Sequence, residues 1–164
     1  GGIMSFQKAH NFSNQLAEVV VTSDETELNG TPTAKLAQAA PFRNYRVLEL
    51  GLVITDTTSF TGSSALRFEV GVGTDSDAFV GNLASGLTIV GNTIGQKFST
   101  AKDFEFRDTP SSPPVGGDSS RIDQDGQPFI SAGDTIQFKV NTGTGTTTKA
   151  VFYARLAPII EFTD

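Results

Sequence analysis

The stretch that decides the fold is residues 135–141, which read Thr-Ile-Gln-Phe-Lys-Val-Asn. Apolar residues at positions 136, 138 and 140 alternate with polar residues throughout. Because successive side chains of a β-strand point to opposite faces, this pattern predicts a strand with one face in a core and the other in water. Gly133-Asp134 just before it is a turn signal, so the chain is expected to enter the strand through a tight turn.

The same alternation recurs along the chain. A strand that begins near Tyr45 is expected to place four residues on its inner face: Leu48, Leu50, Leu52 and Ile54. Further strands are predicted at residues 16–22, 65–72, 103–107 and 150–156, with short strands at 87–90 and 95–99. We therefore predict an all-β fold, a jelly-roll-like antiparallel β-sandwich of about eight strands.

One or two short helices are expected beside the strands. Thr31 can cap a helix that has Pro32 at its first position and runs to Ala40. A proline follows at once, and the residue before a proline is disfavoured in the helical conformation. Ser76 or Asp75 can cap a single helical turn over residues 77–80.

The composition excludes several classes of protein and of site. The 164 residues carry a formal net charge of −6 and include thirteen Phe, one His and no Cys. Without Cys there is no disulfide, and the single His10 cannot build a multi-His metal site within one chain. The acidic balance disfavours nucleic acid as a partner. No apolar run approaches the roughly 20 residues of a membrane span, so a membrane partner is not expected.

The chain is interpreted as an arm followed by one domain. Residues 1–15 lack periodicity and are predicted to form an N-terminal arm, whereas residues 16–164 form a single β-sandwich domain. The arm carries Phe6, His10 and Phe12, which are candidate contacts with a capsid or with other subunits. Two interpretations of the arm remain open: it lies on a partner, or it covers an edge of its own domain.

A long loop is predicted at residues 108–128, where Pro and Gly are frequent and apolar residues are scarce. Loops of this length inside a compact domain are usually functional or disordered, so Pro113 and Pro114 are further candidate contacts. Asp123 and Asp125 resemble the start of a calcium loop, in which closely spaced carboxylates converge on one ion. No Glu follows at the required distance, so a solvated turn is favoured, and we expect neither a bound metal nor a cofactor.

Paired carboxylates could in principle hydrolyse a glycosidic bond. The three mid-strand candidates are Glu49, Glu69 and Glu105. Each is the polar member of an alternating run, which is typical of an outward face, and cross-strand ion pairs would explain them. The basic residues in the same alternation are Arg67, Arg107 and Lys139. We therefore expect no catalytic residues and no enzymatic activity, with a glycoside hydrolase as a minor alternative.

Three segments, residues 65–79, 126–136 and 150–153, resemble small decoration (cement) proteins of tailed bacteriophages. The resemblance is one of strand order and style and covers residues 45–158. It implies a β-sandwich or jelly roll on the outer capsid surface of a virion, bound to the major capsid protein and assembled as a homotrimer. No binding residue is carried over from it. The alternative is a carbohydrate- or receptor-binding β-sandwich, such as a module of a phage tail or fibre.

Overall fold

Eleven β-strands and no helix are found in the part of the chain that the computed structural model describes, residues 17–37, 43–57, 62–81, 87–106, 121–123, 127–145 and 147–159. The strands are β1 (Val19–Thr22), β2 (Thr26–Glu27), β3 (Thr33–Lys35), β4 (Tyr45–Asp56), β5 (Ser63–Val72), β6 (Asp75–Val80), β7 (Leu87–Val90), β8 (Lys97–Ser99), β9 (Phe129–Ile130), β10 (Ile136–Thr142) and β11 (Lys149–Pro158). The short strands predicted at 87–90 and 95–99 are confirmed as β7 and β8.

The strands form two antiparallel sheets. Sheet A has the order β1-β11-β4-β8, with β2 paired to β11 and β9 to β4. Sheet B has the order β3-β10-β5-β6, with β7 paired to β5. Strands from opposite ends of the chain are neighbours, β1 with β11 and β3 with β10, which is the wrapped order of a jelly roll. The predicted antiparallel β-sandwich is confirmed.

Phenylalanine rings join the two sheets. Phe138 of sheet B lies 4.5 Å from Phe152 of sheet A, measured between ring centroids, and Phe68 lies 5.7 Å from Phe138. All three side chains are fully buried. Tilted ring pairs at these distances add about 0.5–1.5 kcal/mol each to the area they remove from water. The alternation that predicted β10 thus places its inner face, including Phe138, in the centre of the sandwich.

A bulge changes which residues of β4 face the core. Val47 is buried and Leu48 is only half-buried, so the prediction for Leu48 is wrong. Glu49 pairs with Arg155, but Val47 pairs with Leu156, so Leu48 is the extra residue of the bulge. One extra residue reverses the faces of everything beyond it, because the side-chain period of a strand is two. Beyond the bulge, the predicted inward positions of β4 are confirmed.

The helix predicted from Thr31 to Ala40 is wrong over its described part. Residues 33–35 form the edge strand β3, which pairs with β10. The Val140 N–H donates to Pro32 O at 2.9 Å, and the Leu36 N–H donates to Ile136 O at 2.9 Å. Pairing with β10 satisfies the backbone and buries alternate side chains, which outweighs the local helix signal. Residues 38–40 lie outside the described residues.

The helical turn predicted at residues 77–80 is also wrong, because these residues belong to β6, which pairs with β5. The hairpin turns at residues 73–74, and the start of β6 then crosses over Gly71. A Cβ at Gly71 would overlap the backbone of Asp75 and Ser76. The contiguous burial of residues 78–80 suits a strand that is covered on both faces.

The strand predicted at residues 103–107 is replaced by a turn over its described part. The Asp103 carboxylate accepts the Ser99 N–H at 2.9 Å, and the Asp103 N–H donates to Ser99 O at 2.8 Å. These bonds fix a tight turn directly after β8. Phe104 still enters the core, where its ring meets Phe68 edge-on at 5.3 Å. The alternation therefore identified a core residue but assigned it to the wrong element.

Candidate functional site

The outer face of sheet A is the candidate partner surface. It comprises the outward side chains of four neighbouring strands: Val20, Thr22, Glu49, Gly51, Val53, Lys97, Ser99, Val151, Tyr153 and Arg155. The register places Tyr153 opposite Gly51, which is in turn opposite Ser99 on β8. Tyr153 therefore lies near the middle of the sheet, with a residue that has no side chain beside it.

Tyr153 lies across Gly51. A Cβ added to Gly51 would stand 2.5 Å from the Tyr153 hydroxyl and 2.6 Å from its Cε1. The hydroxyl donates to Glu49 Oε2 at 2.5 Å. Lys97 Nζ lies 5.4 Å from the centre of the Tyr153 ring and 3.7 Å from Glu49 Oε2. An aromatic ring that covers a strand glycine fills a gap in the sheet surface and pins the local register.

The surroundings of Tyr153 keep its phenol protonated. Burial, followed by the hydrogen bond to Glu49 and the charge of that carboxylate, raises the pKa of Tyr153 well above its ordinary value near 10. The phenol therefore stays protonated and remains a donor. The Glu49 side chain is only 14% exposed, so its charge depends on the hydroxyl and on Lys97 for compensation.

The rest of the outer face of sheet A mixes apolar side chains with paired charges. Val20 on the edge strand β1 is 61% exposed, and Val53 and Val151 are half-buried. Arg155 Nε lies 3.5 Å from Glu18 Oε2. The sequence already shows that Val151 and Tyr153 alternate with buried residues. The packing of Tyr153 on Gly51 depends on the register of two distant strands, which no local signal gives.

The three mid-strand carboxylates do not converge. Glu49 lies on the outer face of sheet A and Glu69 on that of sheet B, so the core separates them. The predicted cross-strand pairing is confirmed for Glu69, whose Oε1 lies 3.5 Å from Nζ of its register partner Lys139. Glu69 also accepts hydrogen bonds from Ser76 and Asn141, both at 3.2 Å. Glu105 is exposed and follows a turn instead of lying within a strand.

The candidate calcium ligand Asp123 makes a turn contact. Its Oδ1 accepts the Gln127 N–H at 2.9 Å, and its own N–H donates to Gln127 O at 3.0 Å. Asp123 is exposed, and Asp125 lies outside the described residues. In the ranges that the structure describes, no group of three or more His, Cys, Asp or Glu side chains is arranged to hold a metal ion.

An ion pair joins Arg121 to the turn that precedes β10. Arg121 Nε and a terminal guanidinium nitrogen donate to the two carboxylate oxygens of Asp134 at 2.6 and 3.1 Å. Asp134 also accepts the Ser131 N–H at 2.8 Å, and its own N–H donates to Ser131 O at 3.0 Å. The predicted turn at Gly133-Asp134 is thus confirmed, with φ of +88° at Gly133. The sequence alone did not associate Arg121 with this turn.

The charges of this pair shift both titrations. The Asp134 hydrogen bond raises the pKa of Arg121, although partial burial opposes the shift. Partial burial alone would raise the pKa of Asp134, but the Arg121 hydrogen bond, the Ser131 N–H and the Arg121 charge together lower it. Both groups therefore stay charged near neutral pH, and the ion pair between Arg121 and Asp134 is retained.

The remaining candidate contacts, Phe6, His10, Phe12, Pro113 and Pro114, lie outside the described residues. No helix in the described ranges is long and apolar enough to cross a membrane. Comparison with protein-family models, with curated proteins and with solved structures finds no match for this chain.

Proposed function

We propose that the chain is a virion structural protein of the decoration type, which binds the outer surface of a phage capsid as a homotrimer and stabilises the shell. The observation that carries the proposal is the outer face of sheet A. Apolar side chains lie there at the middle and at the edge of a rigid sheet, among charges that are already paired. Its partner is the major capsid protein.

The chemistry of this face favours a protein surface as its partner. Protein interfaces combine apolar and aromatic side chains with polar groups. Here Val53, Val151 and Tyr153 share one sheet face with the Glu49–Lys97 and Arg155–Glu18 ion pairs. Charges that enter an interface without a partner cost several kcal/mol. Glu49 already has Lys97, and Arg155 already has Glu18, so covering the face leaves neither pair uncompensated.

The arm and the long loop are the proposed additional contacts. In the sequence, Phe6, His10 and Phe12 of the predicted arm precede β1, which is the edge strand of sheet A. The long loop predicted at residues 108–128 carries Pro113 and Pro114 and includes Arg121, which is paired with Asp134. Several weak contacts on one molecule, and three molecules in one trimer, would add through avidity. Such bridging between capsid subunits opposes the pressure of packaged DNA.

The experiment compares two surface valines. Val20→Glu places a charge on the outer face of sheet A, where Val20 is 61% exposed. Val90→Glu is the matched control, since Val90 is 48% exposed but lies on β7 of sheet B. Binding is measured by sedimentation with undecorated shells of the phage that encodes the chain. Val20→Glu should lose binding while Val90→Glu retains it, and equal binding by both variants would refute the role of this face.

Solution mass and a truncation test the remaining parts of the proposal. Light scattering after size exclusion should give a mass near three times 17.3 kDa, and a stable monomer would contradict the trimer. If Val20→Glu also dissociates the trimer, the face is the subunit interface and not the capsid contact. Deletion of residues 1–14 should weaken binding to shells without changing the β-sheet spectrum, and unchanged binding would exclude the arm.

A further inference from the structure

A polar cleft lies at one end of the outer face of sheet B, and nothing above gives it a role. This end cleft has a volume of about 300 Å³ and is lined by Lys35, the turn at residues 73–74, the turn at residues 133–135, and Gln137. Lys35 and Gln137 are register partners on β3 and β10, and both side chains point outward because Ala34, Ile136 and Phe138 point into the core.

The walls of the end cleft are built by the fold. Gln137 is also the register partner of Gly71, and the start of β6 crosses over Gly71 because that residue has no side chain. The crossing raises β6 and the turn at residues 73–74 above the sheet on one side. On the end wall, the carboxylate of Asp134 is held by Arg121 and by the Ser131 N–H. Lys35 and Gln137 therefore project from paired strands, and Asp134 projects from a turn that hydrogen bonds hold in place.

The backbone conformation at residue 73 does not require a glycine. Its φ is not positive, and a Cβ there would meet no atom within 4 Å. Gly133, by contrast, needs its glycine for a φ of +88°. An ordinary side chain at residue 73 would fit the hairpin but would occupy open space beside the end cleft. A glycine at this position keeps the cleft accessible.

The lining matches a ligand that both donates and accepts hydrogen bonds. Lys35 donates, the Gln137 amide does both, and the Thr74 hydroxyl does both. The Asp134 carboxylate receives three hydrogen bonds, two from Arg121 and one from Ser131, out of about four that a carboxylate can accept. Arg121 neutralises the charge of the Asp134 carboxylate, but its oxygens remain hydrogen-bond acceptors, which the acceptor oxygens of phosphate and other anions do not complement. Neighbouring hydroxyl groups on a sugar ring supply the required mixture of donors and acceptors.

We propose that the end cleft is a binding site for a saccharide, which engages Lys35, Gln137 and the free acceptor position of Asp134. The cleft volume lies at the lower end of the range for small-molecule sites, which suits one or two sugar units. This site would be a second activity of the chain. It lies on the opposite sheet from the proposed capsid contact, so it does not rest on the decoration role.

The test is a ¹H–¹⁵N NMR titration of the full chain. The probes are glucose, galactose, N-acetylglucosamine and glucuronic acid, with sodium acetate and inorganic phosphate as separate anion arms. The expected result is a saturable shift of the backbone amides of residues 73–74, 133–135 and 137 with at least one neutral sugar. The proposal is overturned if no neutral sugar gives a saturable shift there, or if acetate or phosphate produces the same shifts.

Matched variants localise the binding. Gly73→Val narrows the end cleft, and Gly145→Val is its control, because a Cβ at Gly145 also meets no atom within 4 Å and lies beyond the other end of β10. In Gly73→Val, the valine side chain should displace the sugar from at least one of its hydrogen-bond partners, and the affinity should fall by about tenfold or more. Gly145→Val should leave the affinity unchanged. Lys35→Ala, a change at an exposed edge residue, should weaken binding even if Gly73→Val disturbs folding. Undiminished affinity in Lys35→Ala and Gly73→Val would exclude this cleft.

Discussion

Replacing Gly51 with alanine should destabilise the sandwich, although alanine is normally the more favourable residue in a folded chain. The new Cβ would stand 2.5 Å from the Tyr153 hydroxyl and 2.6 Å from the carbonyl oxygen of Phe98. The tyrosine ring can rotate away, but the Phe98 carbonyl belongs to the neighbouring strand β8 and cannot move without straining the sheet. When the ring rotates away, it loses the hydrogen bond between its hydroxyl and Glu49.

The magnitude follows from two opposing terms. Forcing an extra carbon into a packed site costs about 1–3 kcal/mol. Alanine restricts the unfolded chain more than glycine does, which returns about 0.4–1 kcal/mol. The net loss is therefore about 1–2 kcal/mol, and a chain of this length should melt about 2–8 °C lower. The free energy of unfolding is measured by urea denaturation, with the slope checked for constancy.

A matched glycine gives the control. Gly145→Ala adds the same carbon where a Cβ meets nothing within 4 Å, so its stability should be unchanged or slightly raised. In a Tyr153→Ala background the cost of Gly51→Ala should fall but persist, because the Phe98 carbonyl remains. If Gly51→Ala proves as stable as Gly145→Ala, the packing of Tyr153 on Gly51 described above is wrong.

Further predictions concern charge, metal and buried hydroxyls. Because the pKa of Tyr153 is raised in the folded state, its contribution to stability is fully present below pH 10 and is lost as the pH rises further. In Tyr153→Phe, the free energy of unfolding measured by urea denaturation should therefore fall less steeply with pH in the alkaline range. Because the pKa of Asp134 is lowered in the folded state, its contribution to stability is present above about pH 4 and is lost on acidification. Asp134→Asn should lower the free energy of unfolding by about 1.5–3 kcal/mol at pH 7 and should make that free energy less dependent on pH in the acid range. The fully buried Thr148 hydroxyl has no hydrogen-bond partner among the described residues. Thr148→Val should therefore raise the free energy of unfolding by about 1 kcal/mol, seen as a higher urea midpoint, and an unchanged or lower midpoint would contradict this. Because Asp123 is committed to a turn, neither EDTA nor excess Ca²⁺ should move the melting temperature, whereas a shift would indicate a site.

The predictions from sequence succeeded where one face of a strand is buried and failed where pairing overrides local preference. The alternation in β10 is strict, and β10 is a central strand of sheet B. Thr31-Pro32 has the residue types of a helix N-terminus. The segment that follows forms a strand instead, because its backbone groups hydrogen-bond to β10. At Leu48 a single extra residue reversed the faces, and a bulge has no signature within its own strand.

The candidate sites were less predictable than the fold for a related reason. The outer face of sheet A joins Tyr153 to Gly51, which is 102 positions earlier in the chain, and the register between them emerges only when both ends have paired. The end cleft likewise combines two turns, at residues 73–74 and 133–135, and the sequence predicted only the second of them. No local pattern gave the first turn or showed that the two turns lie at the same cleft.

The wrapped strand order has a consequence for how the protein is made. β11 lies between β1 and β4, so Val19 must find Leu156, which is synthesised 137 residues later. Until that strand leaves the ribosome, sheet A is split and the core face of β4 has no stable cover. Pairings over such sequence distances close slowly, and exposed strand edges favour aggregation meanwhile. The nascent chain should therefore depend on dilution or on chaperones until β11 has been synthesised.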